Sequence, residues 1–438
     1  MSRKMGFWSV FALVTGSQIG TGVFMLPSSL APYGISSLYG WVLSSLGAIA
    51  LALVFAALCA QFPKTGGPHV YVKNAFGKPP AFFTGWTYWI ISWVSTTAVI
   101  VSSVGYLSPL IGNHSQGFSL MLEFGLLFII TFINLKGVRT AGNAEFFLTF
   151  LKFIPLIIMP LAAIFMFNMD SFVVDKSIAA LPTSQVLSQV ALLTLWGFIG
   201  VESATTPAGS VENPEKTIPR AIVLGTTCVA VLYIFNSIGV MGLIPGDILM
   251  HSKAPYVDVA QIVFGGHWHL VISVIASIVC IGTLNAWVLT SGQIALGLAE
   301  DGFVPSFFGQ KNKNDAPYGS LLISCGGIVP LLILTSNQSI AGQITSIIDF
   351  SVVAFLFVYL ISCFSFFKLL IAKKEKQKSV LWFFGFIATA FCVWVIYETP
   401  LRTLMIAGLF TLSGFPLYLF WYRPKQKVAG HVSSRAVA

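Results

Sequence analysis

Two glycine-rich polar runs interrupt apolar stretches of the chain. They are residues 15–22 (TGSQIGTG) and residues 196–203 (WGFIGVES). Small residues let helices pack closely, which is one interpretation of both runs. Because hydroxyl and carboxyl groups lie among the glycines, we favour a second interpretation, in which the backbone is unwound. Its free N–H groups would bind a carboxylate, and its free C=O groups would bind an ammonium group.

Two ionisable residues, Lys152 and Glu202, lie deep within apolar stretches that are long enough to cross a membrane. Such groups are costly in a bilayer and are usually functional. Either residue could exchange a proton, and Lys152 could instead be a fixed cation bonded to backbone carbonyls of the first run. Glu123, Glu145 and Asp349 lie nearer the ends of their stretches, so we expect them to reach an interface.

Aromatic and metal-ligating side chains carry weaker signals. Trp196 and Trp287 lie beside small and polar residues, where an indole ring either stacks on a cation or simply packs. The six cysteines show no CxxC spacing and the six histidines are scattered, so the sequence predicts no metal site and no cofactor. No nucleophile–base–carboxylate pattern or phosphate-binding loop is visible, which argues against an enzyme.

The elements that carry these residues are predicted to be membrane-spanning helices. Hydrophobic residues make up 56% of the 438 residues and charged residues 9%, against about 25% charged in soluble domains. The mean hydropathy is +0.85. None of the apolar segments has the short alternating pattern of a barrel strand, so the fold class is all-α integral membrane protein. The predicted helices are 8–32, 39–61, 82–108, 118–136, 145–168, 187–210, 220–244, 266–298, 318–335, 346–370, 379–397 and 401–422.

The basic residues predict how these helices are oriented. With the N-terminus in the cytoplasm, 20 of the 24 lysine and arginine residues fall on the cytoplasmic side. Only Lys176, Lys253 and Arg402 fall on the other side, and Lys152 lies within a helix. The net charge of +9 is therefore a topology signal, and nucleic-acid binding is a poor interpretation because the basic residues lie in short loops. Both termini are predicted to be cytoplasmic.

The two glycine-rich runs lie in the first and sixth predicted helices, each the first in a set of five. This spacing is typical of transporters built from inverted repeats with discontinuous helices. We therefore predict a single transmembrane domain with a first repeat in residues 1–168 and a second in residues 187–370. Residues 379–422 would form two accessory helices, and residues 423–438 a cytoplasmic tail.

Several motifs resemble those of the amino acid–polyamine–organocation transporter superfamily, in order and over nearly the whole chain. They are residues 16–24 (GSQIGTGVF) followed by Leu26-Pro27, 62–67 (FPKTGG), 200–204 (GVESA), 212–214 (ENP) and 299–302 (AEDG). Residues 194–204 (TLWGFIGVESA) are most similar to the basic amino acid/polyamine antiporters, which include the bacterial arginine/agmatine antiporter. The resemblance implies a bacterial inner-membrane protein with a five-plus-five inverted-repeat fold. It also implies two extra helices, which often mediate dimers in such transporters.

The resemblance also implies residues that bind the substrate. The Gly20-Thr21-Gly22 backbone and the Thr21 hydroxyl would bind the carboxylate of an amino acid. Backbone carbonyls near Ile19, Trp196 and Ile199 would bind its amino group. Further polar wall positions would be Ser92, Thr96 and Ser351.

A second set of residues is implied to open and close the site in alternating access. Trp287 would stack on the substrate side chain as a middle gate, and Trp196 would close the outer gate. Tyr88 and Tyr359 would act with Glu202 at the inner side, with Glu202 as the pH-sensitive carboxylate.

Two transport modes follow from these similarities. The first is exchange of a basic, arginine-like amino acid for its decarboxylated amine or another amino acid. The alternative is proton-coupled symport through Lys152 and Glu202, because related proton-coupled permeases carry a lysine at the place of Lys152. Thr96 replaces an asparagine of the arginine/agmatine antiporter, so the amino acid itself stays open. The expected partners are a small amino acid or amine, membrane lipid and, as an open alternative, a second copy of the chain.

Overall fold

The apolar segments fold into helices because a backbone surrounded by lipid must satisfy its own hydrogen bonds. The computed structural model describes residues 4–112, 115–252, 254–336, 340–372 and 379–422. Within these ranges it describes only the backbone at Thr21, 108–109 and 340–350. The predicted tail at 423–438, the side chain of Thr21 and that of Asp349 therefore lie outside the described residues.

Twelve helical segments in the described part of the chain are long and apolar enough to cross a membrane, as predicted. We number them spans 1 to 12. Their bounds are Phe7–Leu30, Ser36–Gln61, Lys78–Gly105, Gln116–Leu135, Val138–Met166, Thr183–Thr205, Pro214–Leu243, Trp268–Glu300, Tyr318–Thr335, Ser351–Ala372, Ser379–Glu398 and Leu401–Tyr422. The helix of span 10 begins earlier, at Ile340.

Span 5 begins at Val138, well before the predicted start at residue 145. Gly137 reverses the chain directly before it with φ of 112°, a conformation that glycine adopts at little cost. The polar residues that follow look like a loop in the sequence, but they form the first turns of the helix. Glu145 consequently lies inside the helix with 0% exposure, so the expectation that it reaches an interface was wrong.

Spans 1 and 6 are both interrupted, as the glycine-rich runs predict. In span 1 the helix Phe7–Gln18 ends at Ile19, which is extended, and a second helix, Thr21–Leu30, begins after Gly20. In span 6 the helix Thr183–Leu195 continues as one 3-10 turn to Phe198, and the backbone then becomes extended at Ile199. A further 3-10 turn, Ser203–Thr205, completes the span.

The two breaks contact each other directly. The Ser17 hydroxyl lies 3.1 Å from the Gly200 carbonyl oxygen and 2.8 Å from the Ser203 hydroxyl. Gly200 has φ of 107°, and a Cβ atom there would lie 2.7 Å from the Ser17 Oγ. Only glycine fits both the conformation and the space. The packing and the unwinding interpretations of the glycines therefore both apply.

Short helices connect the spans at the two ends of the bundle. Gly246–Leu249 and Pro255–Phe264 lie between spans 7 and 8. Pro68–Phe76 lies between spans 2 and 3. Span 11 packs against spans 2, 6 and 10, and span 12 packs against spans 3 and 10.

Candidate functional site

A small cavity lies between the two helix breaks, with spans 3 and 8 completing its walls. Its volume is about 20 Å³, which is room for roughly one water molecule. A larger molecule can enter only if these walls move apart, so the bundle is in a closed arrangement. The lining residues are Ser17, Gln18, Gly20, Gly22, Ser95, Val99, Trp196, Ile199, Thr283 and Trp287.

The carbonyls exposed by the first break are bonded to side chains of other spans. Lys152 of span 5 donates to the Gly16 carbonyl oxygen at 2.6 Å and to the Thr283 hydroxyl at 3.0 Å. Thr283 of span 8 in turn donates to the Ile19 carbonyl oxygen at 2.6 Å. These bonds satisfy acceptors that the unwound backbone would otherwise leave buried and unpaired. The structure thus has Lys152 bonded to a carbonyl of the first break, one of the two roles considered for it.

Lys152 is also paired with a carboxylate that the sequence did not single out. Its Nζ lies 3.6 Å from Oε1 of Glu145, and both side chains are fully buried. Glu145 Oε1 accepts from the Thr149 hydroxyl at 3.0 Å, and Oε2 accepts from the Asn285 amide at 2.8 Å. The side-chain oxygen of Asn285 in turn accepts a hydrogen bond from the Asn134 amide nitrogen at 3.1 Å. The acidic and basic residues are two helical turns apart on one face of span 5, which is the signal that could have revealed them.

Two tryptophan rings form part of the cavity wall. The indole nitrogen of Trp287 donates to the Ser17 carbonyl oxygen at 3.2 Å, and its ring lies 5.4 Å from that of Phe355. Trp196 lies against the first break, where a Cβ on Gly22 would be 3.0 Å from the indole. Both rings are nearly buried. A cationic group entering between them would meet aromatic faces.

Glu202 lies just beyond the second break and outside the cavity lining. Its Oε2 accepts from the Tyr359 hydroxyl at 2.5 Å, and the Gly200 N–H donates to the same hydroxyl at 3.3 Å. The Tyr88 hydroxyl interacts with the same carboxylate, although neither it nor Glu202 Oε1 makes a hydrogen bond of ordinary geometry within the described part of the chain. All three side chains are fully buried. Two tyrosine hydroxyls thus lie beside this carboxylate, and Oε1 is its more weakly bonded oxygen.

The structure brings together only part of the predicted binding set. Gly20, Gly22, Trp196, Ile199 and Trp287 line the cavity, and the carbonyl of Ile19 lies directly behind it. The backbone of Thr21 begins the helix there.

Three predicted wall residues are not among those that line the cavity. Ser92 and Thr96 bond within their own helix, through the carbonyls of Trp89 and Ser92. Ser351 is buried, and its hydroxyl has no partner in the described part of the chain.

Five of the lining residues were not predicted to bind substrate. Four of them carry polar groups, namely Ser17, Gln18, Ser95 and Thr283, and the fifth is Val99. Gln18 is the most informative, because its amide nitrogen donates to Thr226 at 3.2 Å while its amide oxygen has no partner among the described residues. Its position inside the first glycine-rich run was a visible signal. Ser95 lines the cavity one residue before the predicted Thr96, and Val99 lines it about one helical turn later.

The end of the bundle nearest Glu202 is closed by a second set of contacts. The Gly66 N–H donates to the Thr206 carbonyl oxygen at 2.9 Å, and the Gly209 N–H donates to the Thr65 hydroxyl at 3.2 Å. Asp301, directly after span 8, pairs with Lys73 and lies 3.4 Å from the His69 ring. Burial alone would raise the pKa of Asp301, but its interactions with His69 and Lys73 outweigh burial and leave that pKa below its ordinary value.

Among the described residues no group of three or more His, Cys, Asp or Glu side chains could hold a metal ion. The six cysteines are free thiols. The polar groups of the site are thus backbone carbonyls and N–H groups, hydroxyls, amides, one ion pair and one carboxylate.

Comparison with known proteins agrees with this arrangement. A family model for amino acid permeases matches residues 5–421. The putrescine transporter PotE of Haemophilus influenzae is 30% identical over 96% of this chain and 97% of its own length. The corresponding transporter of Escherichia coli K12 is 28% identical over 95% of the chain and 96% of its own length. A cadaverine/lysine antiporter of the same organism is 28% identical over 78% and 77%.

Three findings lead to one assignment. The family model matches nearly the whole chain, and the two putrescine transporters align with it over nearly their full length. The described residues form twelve apolar helices, two of which have breaks that face each other. The chain belongs to the amino acid permease family and is a multi-pass inner-membrane transporter, not an enzyme.

Proposed function

We propose that this transporter is an antiporter that exchanges a basic amino acid for a diamine or for another amino acid. The similarity to transporters of putrescine and of cadaverine and lysine supports this class of substrate. The cavity supports it as well, because its lining offers aromatic faces and neutral oxygen atoms to a cationic chain. An arginine-like amino acid with its decarboxylated amine remains one member of this class.

The observation that carries the proposal of exchange is the ion pair of Glu145 and Lys152. The Lys152 ammonium faces three acceptors, which are the Gly16 carbonyl, the Thr283 hydroxyl and the Glu145 carboxylate. A deprotonated Lys152 amine would have two N–H groups for these three acceptors, so one acceptor would lose its donor and the buried Glu145 carboxylate would lose its counter-charge. Lys152 is therefore better suited to be a fixed cation that holds the first break than to be a proton carrier.

A substrate carboxylate would bind at the start of the helix Thr21–Leu30. The first N–H groups of a helix have no partner within it, and the helix dipole favours an anion there. Gly20 and Gly22 both line the cavity without side chains, so the backbone there is accessible from the cavity. The Thr21 hydroxyl would add a donor. A diamine lacks the carboxylate and would use the cation-binding groups alone.

The cationic end of the substrate would lie between the indole rings of Trp196 and Trp287. The unpartnered amide oxygen of Gln18 would accept from an ammonium group, and so would the carbonyls at the two breaks. Ser92, Thr96 and Ser351 would reach the substrate only after the walls have moved. We expect their role to be in the open states rather than in the closed one.

Alternating access would proceed by separating one side of the site at a time. Trp196 and Trp287 would move to admit the substrate from one side, and Tyr88, Glu202 and Tyr359 would control the other. We propose that the described bundle contains the two inverted repeats in residues 1–168 and 187–370, with spans 11 and 12 as accessory helices. Cytoplasmic termini and a homodimer complete this proposal.

Counterflow in vesicles of purified protein tests the exchange. Vesicles loaded with lysine, ornithine, arginine, putrescine or cadaverine should take up labelled lysine or putrescine, and empty vesicles should not. Uptake into empty vesicles that follows an imposed proton gradient would overturn exchange. A comparison of the loaded amines then ranks the substrates, because each pair is measured with the same protein and label.

A proton-coupled symporter is the second candidate, and the buried Glu202 carboxylate with its two tyrosine neighbours favours it. Its Oε2 accepts from the Tyr359 hydroxyl, and its Oε1 has only the weaker interaction with Tyr88. Protonation at that oxygen could accompany transport without any change at Lys152. The two candidates differ in one measurement, since symport acidifies the vesicle interior in step with uptake and exchange of equally charged solutes does not.

A further inference from the structure

A second, larger cavity lies at the end of the bundle that the basic residues predict to be cytoplasmic. Its volume is about 490 Å³, within the range of about 300–1,000 Å³ that small-molecule sites usually have. Its walls come from the N-terminal segment, the junction of spans 4 and 5, the segment between spans 6 and 7, and the loop before span 9. It is separate from the cavity between the helix breaks and shares no residue with it.

The charge of this cavity is strongly positive. Lys4, Lys136, Arg139 and Lys313 line it, and Asp315 is the single carboxylate among its described lining residues. Asp315 lies 3.8 Å from Lys311, which is outside the lining. Four cations that line one cavity repel one another. An anion bound among them would offset this repulsion and would be attracted by all four.

The backbone at the start of span 5 contributes positive partial charge to the same cavity. Span 5 begins here as a helix of 26 residues, and its first residue follows Gly137, which provides no side-chain cap. The first intrahelical bond runs from the Ala141 N–H to the Gly137 carbonyl oxygen. The N–H groups of the three residues before Ala141 therefore have no partner within the helix, and the helix dipole makes this end attractive to an anion.

The cavity walls are held in place by specific contacts. The Asn312 amide donates to the Leu135 carbonyl oxygen at 2.7 Å. A Cβ atom on Gly137 would lie 2.8 Å from the Asn314 carbonyl oxygen, so the loop before span 9 sits directly on the start of span 5. On the other side, the Met5 N–H donates to the Ser210 carbonyl oxygen at 2.9 Å. The basic side chains thus project from segments that are fixed relative to one another.

The position of Lys136 indicates where the anion comes from. Its ammonium lies 4.7 Å from the centre of the Phe132 ring. Phe132 is 52% exposed on span 4, and Phe128, one turn earlier, is 72% exposed. Large apolar side chains exposed on a membrane helix face lipid tails. The cavity therefore opens beside the lipid-facing surface at the depth where phosphate groups of the bilayer lie.

We propose that this basic cavity, lined by Lys4, Lys136, Arg139 and Lys313, binds the phosphate headgroup of an anionic phospholipid. The acyl chains lie along the exposed phenylalanine face of span 4. A basic pocket between helices at a cytoplasmic surface is well suited to such a headgroup. Because the walls belong to four segments, including Ser210 between spans 6 and 7, a bound headgroup ties the segment that follows the interrupted helix to the start of span 5.

Thermal unfolding of the full-length protein in vesicles tests the proposal. Phosphatidylcholine vesicles with and without phosphatidylglycerol are compared for the wild type and for the double variant Lys136→Gln/Arg139→Gln. We expect phosphatidylglycerol to raise the unfolding temperature of the wild type. We also expect the double variant to bind it roughly thirtyfold more weakly, since each surface cation contributes about fivefold in affinity and the two factors multiply.

A matched control removes two exposed basic residues at the same end but outside the cavity, Lys64→Gln/Lys216→Gln. It should respond to phosphatidylglycerol as the wild type does. Equal stabilisation of both double variants would overturn the site. Inorganic phosphate added to phosphatidylcholine vesicles is the remaining arm, and stabilisation by phosphate that matches that by phosphatidylglycerol would overturn the lipid as its occupant. Unfolding in phosphatidylcholine alone verifies that each variant is folded.

Discussion

Oε1 of Glu145 and Nζ of Lys152 lie 3.6 Å apart in the interior of span 5, both at 0% exposure. Breaking such a buried pair by removing one partner costs about 3–5 kcal/mol, because the other charge is left uncompensated. The pair lies beside Gly16, where a Cβ would be only 1.9 Å from Glu145 Oε1. The ion pair and the first helix break therefore form one packed unit.

We expect Glu145→Gln to reduce exchange by roughly tenfold or more and to make the remaining exchange fall as the pH rises. Without its carboxylate, the Lys152 amine would lose its proton more easily in the protein interior. Initial rates of counterflow between pH 5 and pH 9 measure this effect. Glu123→Gln in span 4, a largely buried glutamate outside the site, is the matched control and should keep the wild-type pH profile. An unchanged profile for Glu145→Gln would remove the ion pair from the mechanism.

The double variant Glu145→Gln/Lys152→Gln separates charge balance from function. It leaves no uncompensated charge, so its unfolding temperature should lie above that of Glu145→Gln alone. Transport should nevertheless be lost, because Gly16 no longer receives the Lys152 ammonium. Recovery of transport in the double variant would show that only the neutrality of this region matters.

Span 5 and the two helix breaks show which features can be predicted from the sequence and which cannot. The glycine-rich runs gave the location of both helix breaks, because an unwound helix needs residues that tolerate unusual backbone angles. The apolar segments gave twelve spans. Glu145 was misjudged because the start of span 5 is polar and resembles a loop, and its neighbour in space, Asn285, is 140 residues away. Ser95 in place of Thr96 was missed because one helical position, about 100° of rotation, depends on how spans 3 and 8 pack.

Gln18→Leu should weaken the binding of diamines and basic amino acids by about tenfold, the usual loss for one hydrogen bond to a charged group. Its amide oxygen is the unpartnered acceptor of the cavity lining. Competition of unlabelled amines against labelled putrescine in counterflow gives the affinities. Thr226→Val removes only the hydroxyl that accepts from the Gln18 amide nitrogen and should have a smaller effect. Equal loss in both variants would indicate that Gln18 acts through packing alone.

Glu202→Gln should remove the dependence of transport on acid pH. The glutamine resembles a protonated glutamate, so the rate should stay near its low-pH level at every pH. Tyr359→Phe keeps the carboxylate and removes the hydroxyl that donates to it; it should shift the pH profile but not flatten it. Counterflow rates across a pH series distinguish the two. A Glu202→Gln profile identical to that of the wild type would contradict a titrating role.

Gly200→Ala should abolish transport and lower the unfolding temperature, whereas Gly125→Ala should do neither. The φ of 107° at Gly200 disfavours any other residue, and its Cβ would meet the Ser17 hydroxyl at 2.7 Å. Gly125 lies in span 4 with nothing within 4 Å of its Cβ position. Thermal unfolding and counterflow of both variants measure the difference. A functional Gly200→Ala protein would show that the second break does not need its glycine.

The contact of Asp301 with Lys73 should contribute stability that depends on pH. Because the pKa of Asp301 is lowered by folding, the contribution is present above its ordinary value of about 3.8 and is lost as the pH falls further. Asp301→Asn should therefore unfold at a lower temperature than the wild type at pH 7, and the two should converge toward pH 3. A difference that stays constant over this range would assign the effect to packing instead.

The close contact of the two helix breaks also has an electrical consequence. The space between Trp196 and Trp287 holds roughly one water molecule, and the backbone around it is bonded to Ser17, Lys152 and Thr283. A continuous column of water, which conducts protons and small ions, cannot cross such a plug. In its closed arrangement the protein therefore does not conduct protons or small ions. A cell can keep many copies of it in the membrane without losing its ion gradients.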